Sequence, residues 1–310
     1  FVQSFFSLST RYSKFFYRFP LIYFLPVFHI NRVHYSENFS SFFFSYKSCA
    51  KGIIYSLLLL PLRSTYILIS SIYFCFAFRY PKFADNNLKR LFLSHLVPST
   101  DSDRNHVFRG IPSSNSDLHL VTSSLYDKDQ FFCQYFIANN SNTIFCRSYA
   151  HPLVEFVNIL YSILLAPVLV VYFLRSNTHA QKLFFLNSII QLVSLQSLIP
   201  LRLVYNLRWL SRSIKFQISE VFISYEGYAW EHAAMDYFGQ RNLPVSLYCH
   251  APITPNNLSC FRNTLPSFCP NTLFVPNRQT LQLFLNQFSH NIYLPSIQTF
   301  PLPFFLTPPN

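Results

Sequence analysis

The stretch from Glu220 to His250 limits the possible folds of this chain more than any other stretch, because strand, helix and strand signals follow one another there. Val221 to Tyr225 is a short apolar run of β-branched and aromatic residues, which predicts a buried strand. Apolar residues recur at helical spacing from Trp230 to Phe238, and Arg241 to Pro244 ends that helix. Val245 to Tyr248 predicts a second strand. A βαβ unit with parallel strands and a right-handed crossover is therefore expected.

This unit also predicts where a ligand would bind. In open parallel sheets ligands bind beyond the carboxyl ends of the strands. Glu226 follows the first predicted strand and His250 follows the second, and adjacent strands lie about 4.8 Å apart. Gly227 permits a tight turn and a close ligand approach, and the helix that begins near Trp230 presents N–H groups suited to a phosphate. Glu231 is interpreted first as an acid that offsets the helix dipole.

Charge and cysteine usage limit the partners. The 310-residue chain has a net charge of +12, which indicates an anionic partner. Because the basic residues are scattered, without a Lys/Arg run or an RNA-binding signature, an anionic membrane surface or a phosphorylated substrate is favoured over nucleic acid. Seven cysteines without paired spacing predict neither a disulfide framework nor a metal site, and Cys249 is expected to be a buried strand-end thiol rather than a nucleophile.

Apolar segments and a polar linker divide the chain into three regions. Residues 1–110 are expected to be an apolar, basic and helical N-terminal region, 111–268 a Rossmann-like lobe, and 269–310 the start of a truncated second lobe. Ile53 to Phe78 is interrupted by Pro61 and Arg63, so a helix buried in the protein or lying on a membrane is expected. Phe156 to Leu174 lacks charges; a core or membrane-resting helix is favoured there over a membrane-spanning one.

The motif Tyr225-Glu226-Gly227-Tyr228-Ala229-Trp230-Glu231, followed by a helix and His250, resembles the bacterial surface-carbohydrate biosynthesis proteins. Those proteins look like two-lobed, GT-B-type glycosyltransferases whose motif is E-G-x-x-W-E with a Q-H pair at the next strand end. Cys249 departs from that motif, because it stands in the place of the Gln. The resemblance covers about residues 205–290, and since the chain begins at Phe1 a fragment is expected.

The resemblance implies an α/β, Rossmann-type parallel sheet and transfer of a sugar from a nucleotide-activated donor to a glycan or lipid-linked acceptor. Glu226 and His250 would be catalytic, and Gly227, Trp230 and Glu231 would bind substrate, although Trp230 is as readily explained as helix core. No metal or other cofactor is expected, and the nucleotide-sugar donor is treated as a substrate. The expected location is cytoplasmic, peripheral at the inner face of the cell membrane. A non-enzymatic membrane or assembly protein of polysaccharide export, and an inactive partial gene product, are the alternatives.

Overall fold

The structure is a computed structural model, and eleven stretches of the chain are described by it. These are residues 45–77, 89–95, 117–122, 143–146, 151–195, 198–213, 218–225, 229–249, 270–275, 277–288 and 296–299. Within them lie seven strands of one sheet, in which all neighbouring strands are parallel. The prediction of a parallel α/β architecture is therefore confirmed.

The strands run in the spatial order β3-β2-β1-β4-β5-β6-β7. Their bounds are β1 Arg90–His95, β2 Asp117–Thr122, β3 Thr143–Phe145, β4 Glu220–Ser224, β5 Val245–Tyr248, β6 Thr272–Val275 and β7 Ser296–Thr299. The chain first builds outward from β1 to β3 and then returns to add β4 on the other side of β1. This reversal makes the gap between β1 and β4 the topological switch point of a doubly wound sheet.

The core of the sheet follows from the strict alternation of side chains along each strand. One face carries aliphatic residues at the core positions of five adjacent strands, for example Leu93, Ile223 and Leu247, each at most 1% exposed. Two helices pack on that face, α4 (Leu198–Ser213) and α5 (Ala229–Gly239). The phenol of Tyr237 in α5 donates to the carbonyl oxygen of Leu207 in α4 at 3.1 Å, which holds the two helices together.

Three of the remaining helices form a second apolar unit. They are α1 (Tyr46–Ala77), which precedes the sheet, and α2 (Pro152–Arg175) and α3 (His179–Val193), which lie between β3 and α4. A second core cluster joins these three helices to the beginning of α4. We call α1, α2 and α3 the helical unit. A sixth helix, α6 (Arg278–Phe288), follows β6.

The predicted domain boundaries are wrong in two places. Strand β1 lies inside 1–110, and it is the central strand of the sheet rather than part of a helical region. Strands β6 and β7 lie inside 269–310, yet they extend the same sheet by pairing with β5 and with each other. No second sheet begins in the described part of that segment.

One expectation about the apolar segments is also corrected. Helix α1, which was expected as a helix, runs through Pro61 and Arg63 without a break, although proline removes one backbone hydrogen bond within it. Of the two alternatives expected for α1 and α2, burial in the protein core is wrong, since Leu58 is 74% exposed and Leu164 is 62% exposed; a helix resting on a membrane stays a prediction. Both helices are long and apolar enough to cross a membrane.

Candidate functional site at the carboxyl edge of the sheet

Strands β4 and β5 lead towards the two residues predicted to be catalytic. Ser224 pairs with Tyr248 at the end of the two strands, and the Tyr225 N–H donates to the Tyr248 carbonyl at 2.9 Å. The Cys249 N–H in turn donates to Phe274 of β6 at 3.0 Å. The predicted adjacency and parallel direction of β4 and β5 are thus confirmed. Glu226, Gly227 and His250, which come next in the sequence, lie outside the described residues.

Trp230 and Glu231 begin α5, and both are buried. Trp230 is 3% exposed and packs in the sheet core, which confirms its interpretation as a core residue. Its indole Nε1 has no hydrogen-bond partner among the described residues. Glu231 lies in the first helical turn and is 1% exposed, so it is more enclosed than an acid that merely offsets a dipole at the surface. A substrate contact through either side chain stays a prediction.

Cys249 is buried at the end of β5 and belongs to the sheet core, as expected from its sequence position. Tyr248, the residue before it, points to the opposite face of the sheet because side chains alternate along a strand. Burial, with a smaller contribution from Cys249, raises the pKa of Tyr248 to about 12. The phenol is therefore protonated at neutral pH and acts as a hydrogen-bonding group rather than as a base.

The sheet face opposite α4 and α5 carries buried polar side chains near the switch point. They alternate with the core residues on four adjacent strands and are Ser94, His119, Ser224, Ser246 and Tyr248. Parallel strands that are buried on both faces usually read as continuous aliphatic runs. On this face the polar residues lie beside the stacked rings of Phe92 and Phe222 and beyond them, towards the carboxyl ends of β1 and β4. We call this part of the sheet the polar face.

At the polar face, Ser94 Oγ lies 2.7 Å from His119 Nε2, which joins β1 to β2. The hydroxyl of Thr122 donates to the Ser94 carbonyl at 3.2 Å and links the same strands. Burial lowers the pKa of His119 to about 4, so the imidazole is neutral at pH 7. A neutral imidazole can either accept the serine proton or donate to the serine oxygen. Sequence reasoning missed this pair, because β1 was not predicted and its neighbour was therefore unknown.

A second polar cluster lies beside the end of β3. Glu155 in α2 and Arg202 in α4 form a buried ion pair. Asn206, one helical turn after Arg202, donates to the backbone carbonyl of Cys146 at 3.2 Å. Burial raises the pKa of the Cys146 thiol, and Arg202 opposes that rise. Three polar atoms of this cluster have no hydrogen-bond partner among the described residues: Glu155 Oε2, Arg202 Nη1 and Asn206 Oδ1. The cluster could therefore form further hydrogen bonds.

Within the same residues, no group of three or more His, Cys, Asp or Glu side chains is arranged to hold a metal ion. Comparisons with protein-family models, with curated proteins and with solved structures found no match to this chain. The candidate site is therefore defined by the strand order and by the polar residues at the carboxyl edge.

Proposed function

We propose that this chain is a glycosyltransferase-like protein of surface polysaccharide biosynthesis, which transfers a sugar from a nucleotide-activated donor to a glycan or lipid-linked acceptor. The observation that carries the proposal is the strand order, since its reversal between β1 and β4 creates the crevice where such sheets bind nucleotides. The sheet is proposed to be a single GT-B-type lobe. The Glu226 and His250 motif, at the junctions that follow β4 and β5, supplies the chemistry.

Each site residue has a role in this proposal. Glu226 takes the acceptor proton or orients the acceptor hydroxyl, and His250 is an acid/base partner or contacts the leaving phosphate. Gly227 permits close approach by the substrate. Trp230 and Glu231 are buried in the first turn of α5, so we assign them the task of positioning the Glu226 segment rather than stacking on the sugar.

Two further features support an anionic, membrane-bound substrate. The net charge of +12 favours binding of phosphorylated donors and of anionic lipid surfaces. The apolar helices α1 and α2 would hold the sheet close to a lipid-linked acceptor. In this proposal the sheet works on the cytoplasmic side of the cell membrane, and the donor is a substrate rather than a resident cofactor.

The test measures transfer and donor binding on the purified chain in detergent. Radiolabelled UDP-, GDP-, CDP- and dTDP-sugars are offered with membrane lipids as acceptor, and the thermal midpoint is followed with each unlabelled donor. Transfer that is lost in Glu226→Gln and retained in Glu220→Gln supports the proposal, because Glu220 is a carboxylate at the opposite end of β4. Neither transfer nor a shift of the thermal midpoint with any donor would count against it.

The exposed apolar helices favour a second candidate, a non-enzymatic membrane or assembly protein of polysaccharide export. Such a protein needs the helical unit but not the carboxyl edge of the sheet. Polysaccharide export that survives Glu226→Gln, yet fails when exposed residues of α1 or α2 are changed, would select this candidate over the transferase.

A further inference from the structure

Helices α1 and α2 present an apolar surface that nothing in the described part of the chain covers. Of the large apolar side chains that are exposed in the described residues, all except Leu285 belong to these two helices. Soluble monomers rarely expose a continuous apolar area of more than a few hundred Å². This surface therefore requires an occupant. Representative members are Leu58, Leu62, Phe76, Leu160, Leu164 and Leu174.

The contacts of α3 give the direction of α1. The ring of Tyr46 meets the ring of His179 at 4.9 Å, and three residues further along α1 the Cys49 sulfur lies 3.8 Å from Asn187 Nδ2. Residue numbers rise together along the two helices, so α1 and α3 are parallel. Their first residues lie at one end of the helical unit, which we call the distal end.

Helix α2 runs the other way. A three-residue connection, Ser176 to Thr178, joins α2 to α3, and Tyr172 stacks on Phe185 at 5.5 Å. Since the two helices are neighbours joined by so short a connection, they are antiparallel. The connection therefore lies at the distal end, beside Tyr46. The opposite end of the unit contains the end of α1, the start of α2 and the end of α3. All three helix ends are connected to the sheet along the chain: α1 precedes β1, α2 follows β3, and α3 is joined to β4 through α4.

This arrangement puts every described strand on one side of the helical unit and the α2–α3 connection on the other. Helix α2 has 24 residues and the apolar part of α1 has 31, which correspond to about 36 and about 46 Å at 1.5 Å per residue. The hydrocarbon core of a bilayer is about 30 Å thick, so both can cross it, α1 with a tilt. Basic side chains at the distal end, Lys47, Arg175 and Lys182, suit lipid headgroups.

Arg63 lies near the middle of α1 and opposes insertion. A central arginine costs about as much as roughly five to ten Leu, Ile or Phe residues gain. Thirteen such residues lie between Ile53 and Phe76, so the apolar residues outweigh it. The Arg63 guanidinium also lies over the Tyr55 ring, 5.9 Å from its centre, which shields part of its charge. Helix α2 has no comparable obstacle, because Glu155 is ion-paired with Arg202 inside the protein.

We propose that the occupant of this surface is the hydrocarbon core of a lipid bilayer, which α1 and α2 cross completely, with the sheet on one side and residues 176–178 on the other. The protein is then integral to the membrane, in contrast to the peripheral attachment expected from the sequence. This inference does not depend on the chemistry of the carboxyl edge.

The test compares two variants that each add one cysteine, in sealed membrane vesicles from cells expressing the full chain. Asn177→Cys adds a thiol at the exposed α2–α3 connection, and Gln279→Cys adds one at an exposed position of α6 on the sheet side. A membrane-impermeant maleimide polymer is applied before and after permeabilisation. Each gain in mass is measured against the parent chain with its seven native cysteines.

We expect one variant, and not the other, to gain an adduct before permeabilisation, and both to gain one afterwards. If both variants, or neither of them, gained an adduct before permeabilisation, the two positions would lie on the same side of the membrane. Either result would overturn the proposal. Release of the protein by alkaline carbonate would overturn it too, and would leave a peripheral lipid contact or a second copy of the chain as the occupant.

Discussion

Glu155 in the first turn of α2 is ion-paired with Arg202 in α4, and both side chains are at most 5% exposed. The pair connects the helical unit to the helix that packs on the sheet, since Leu203 and Leu207 of α4 lie in the sheet core. Taking two charges out of water is costly, and here the cost is offset by their mutual attraction. The pair is therefore a polar contact between the helical unit and α4, next to the apolar cluster that joins the same elements.

We expect removal of one partner to be worse than removal of both. Glu155→Gln leaves the Arg202 charge buried without its partner, which should cost about 3–5 kcal/mol of stability. The double variant Glu155→Leu/Arg202→Met removes both charges and should recover most of that loss. The measurement is the thermal midpoint in detergent for the two single variants and the double variant. If the double variant lost as much stability as the sum of the two singles, the pair would not be coupled as the structure indicates.

A second prediction concerns pH and His119. Burial holds the pKa of His119 at about 4, below the ordinary value of 6.5. Between pH 6.5 and pH 4 the unfolded chain binds a proton that the folded chain does not, so stability falls as the pH falls through this window. The loss should approach about 3 kcal/mol at pH 4 and disappear above pH 7.

This pH dependence should be absent in His119→Gln, which can still hydrogen-bond to Ser94. His179→Gln is the matched control, because it removes an exposed histidine of α3 by the same substitution. The quantity to measure is the free energy of unfolding at pH 7, 6 and 5. An equal slope in the parent chain and in His119→Gln would show that another group is responsible.

Local patterns were sufficient to predict most of the sheet. Strands β4 and β5 and the helix between them were found within one or two residues, because apolar runs and helical spacing alternate cleanly there. Strand β1 was missed, since it begins at Arg90, the second residue of the basic pair Lys89-Arg90, and basic residues are typical of a surface rather than of a central strand. Arg90 instead binds Asp117 across the sheet. Strand β7 was missed as well, because three of its four residues are polar or small and exposed.

The strand order could not be predicted without β1, and neither could the polar face, whose Ser94–His119 contact joins β1 to β2. The break between α3 and α4 was also missed. Apolar residues keep helical spacing from Leu183 to Tyr205, but Leu195 has a φ of 61° and α3 ends shortly before it. A leucine in the left-handed region gives no sequence signal comparable to that of glycine. Glu226 and His250 remain predictions, since they lie outside the described residues.

The ion pair between Arg90 and Asp117 gives a third prediction, which ranks the stability losses caused by replacing either partner. Arg90 donates to the carboxylate through Nε at 2.7 Å and through Nη2 at 2.8 Å. The Asp117 side chain is 1% exposed, whereas 38% of the Arg90 side chain reaches solvent. Arg90→Ala leaves a buried carboxylate without this partner and should cost about 3 kcal/mol or more. Asp117→Asn lets Arg90 turn to water and should cost about 1 kcal/mol.

Chemical denaturation of the two variants, compared with the parent chain at pH 7, measures both costs. Arg90→Lys provides a third point, because lysine keeps the charge but loses the two-pronged contact, and it should fall between the other two. A larger loss in Asp117→Asn than in Arg90→Ala would contradict the explanation by burial.

The last prediction tests the apolar surface of α2 with a pair of matched leucines. Leu164 is 62% exposed on α2, and Leu285 is 43% exposed on α6. Neither is enclosed by the protein, so arginine at either position should leave the packed core intact. If the bilayer covers α2, Leu164→Arg places a charge near the middle of a 24-residue span. That should cost about 3 kcal/mol of insertion free energy and lower the membrane-integrated fraction several-fold. Leu285→Arg should stay fully integrated. Because α1 would hold the chain in the membrane by itself, the integrated fraction of α2 is measured by maleimide labelling of Asn177→Cys in the background of each variant, and equal protection in the two variants would remove α2 from the bilayer.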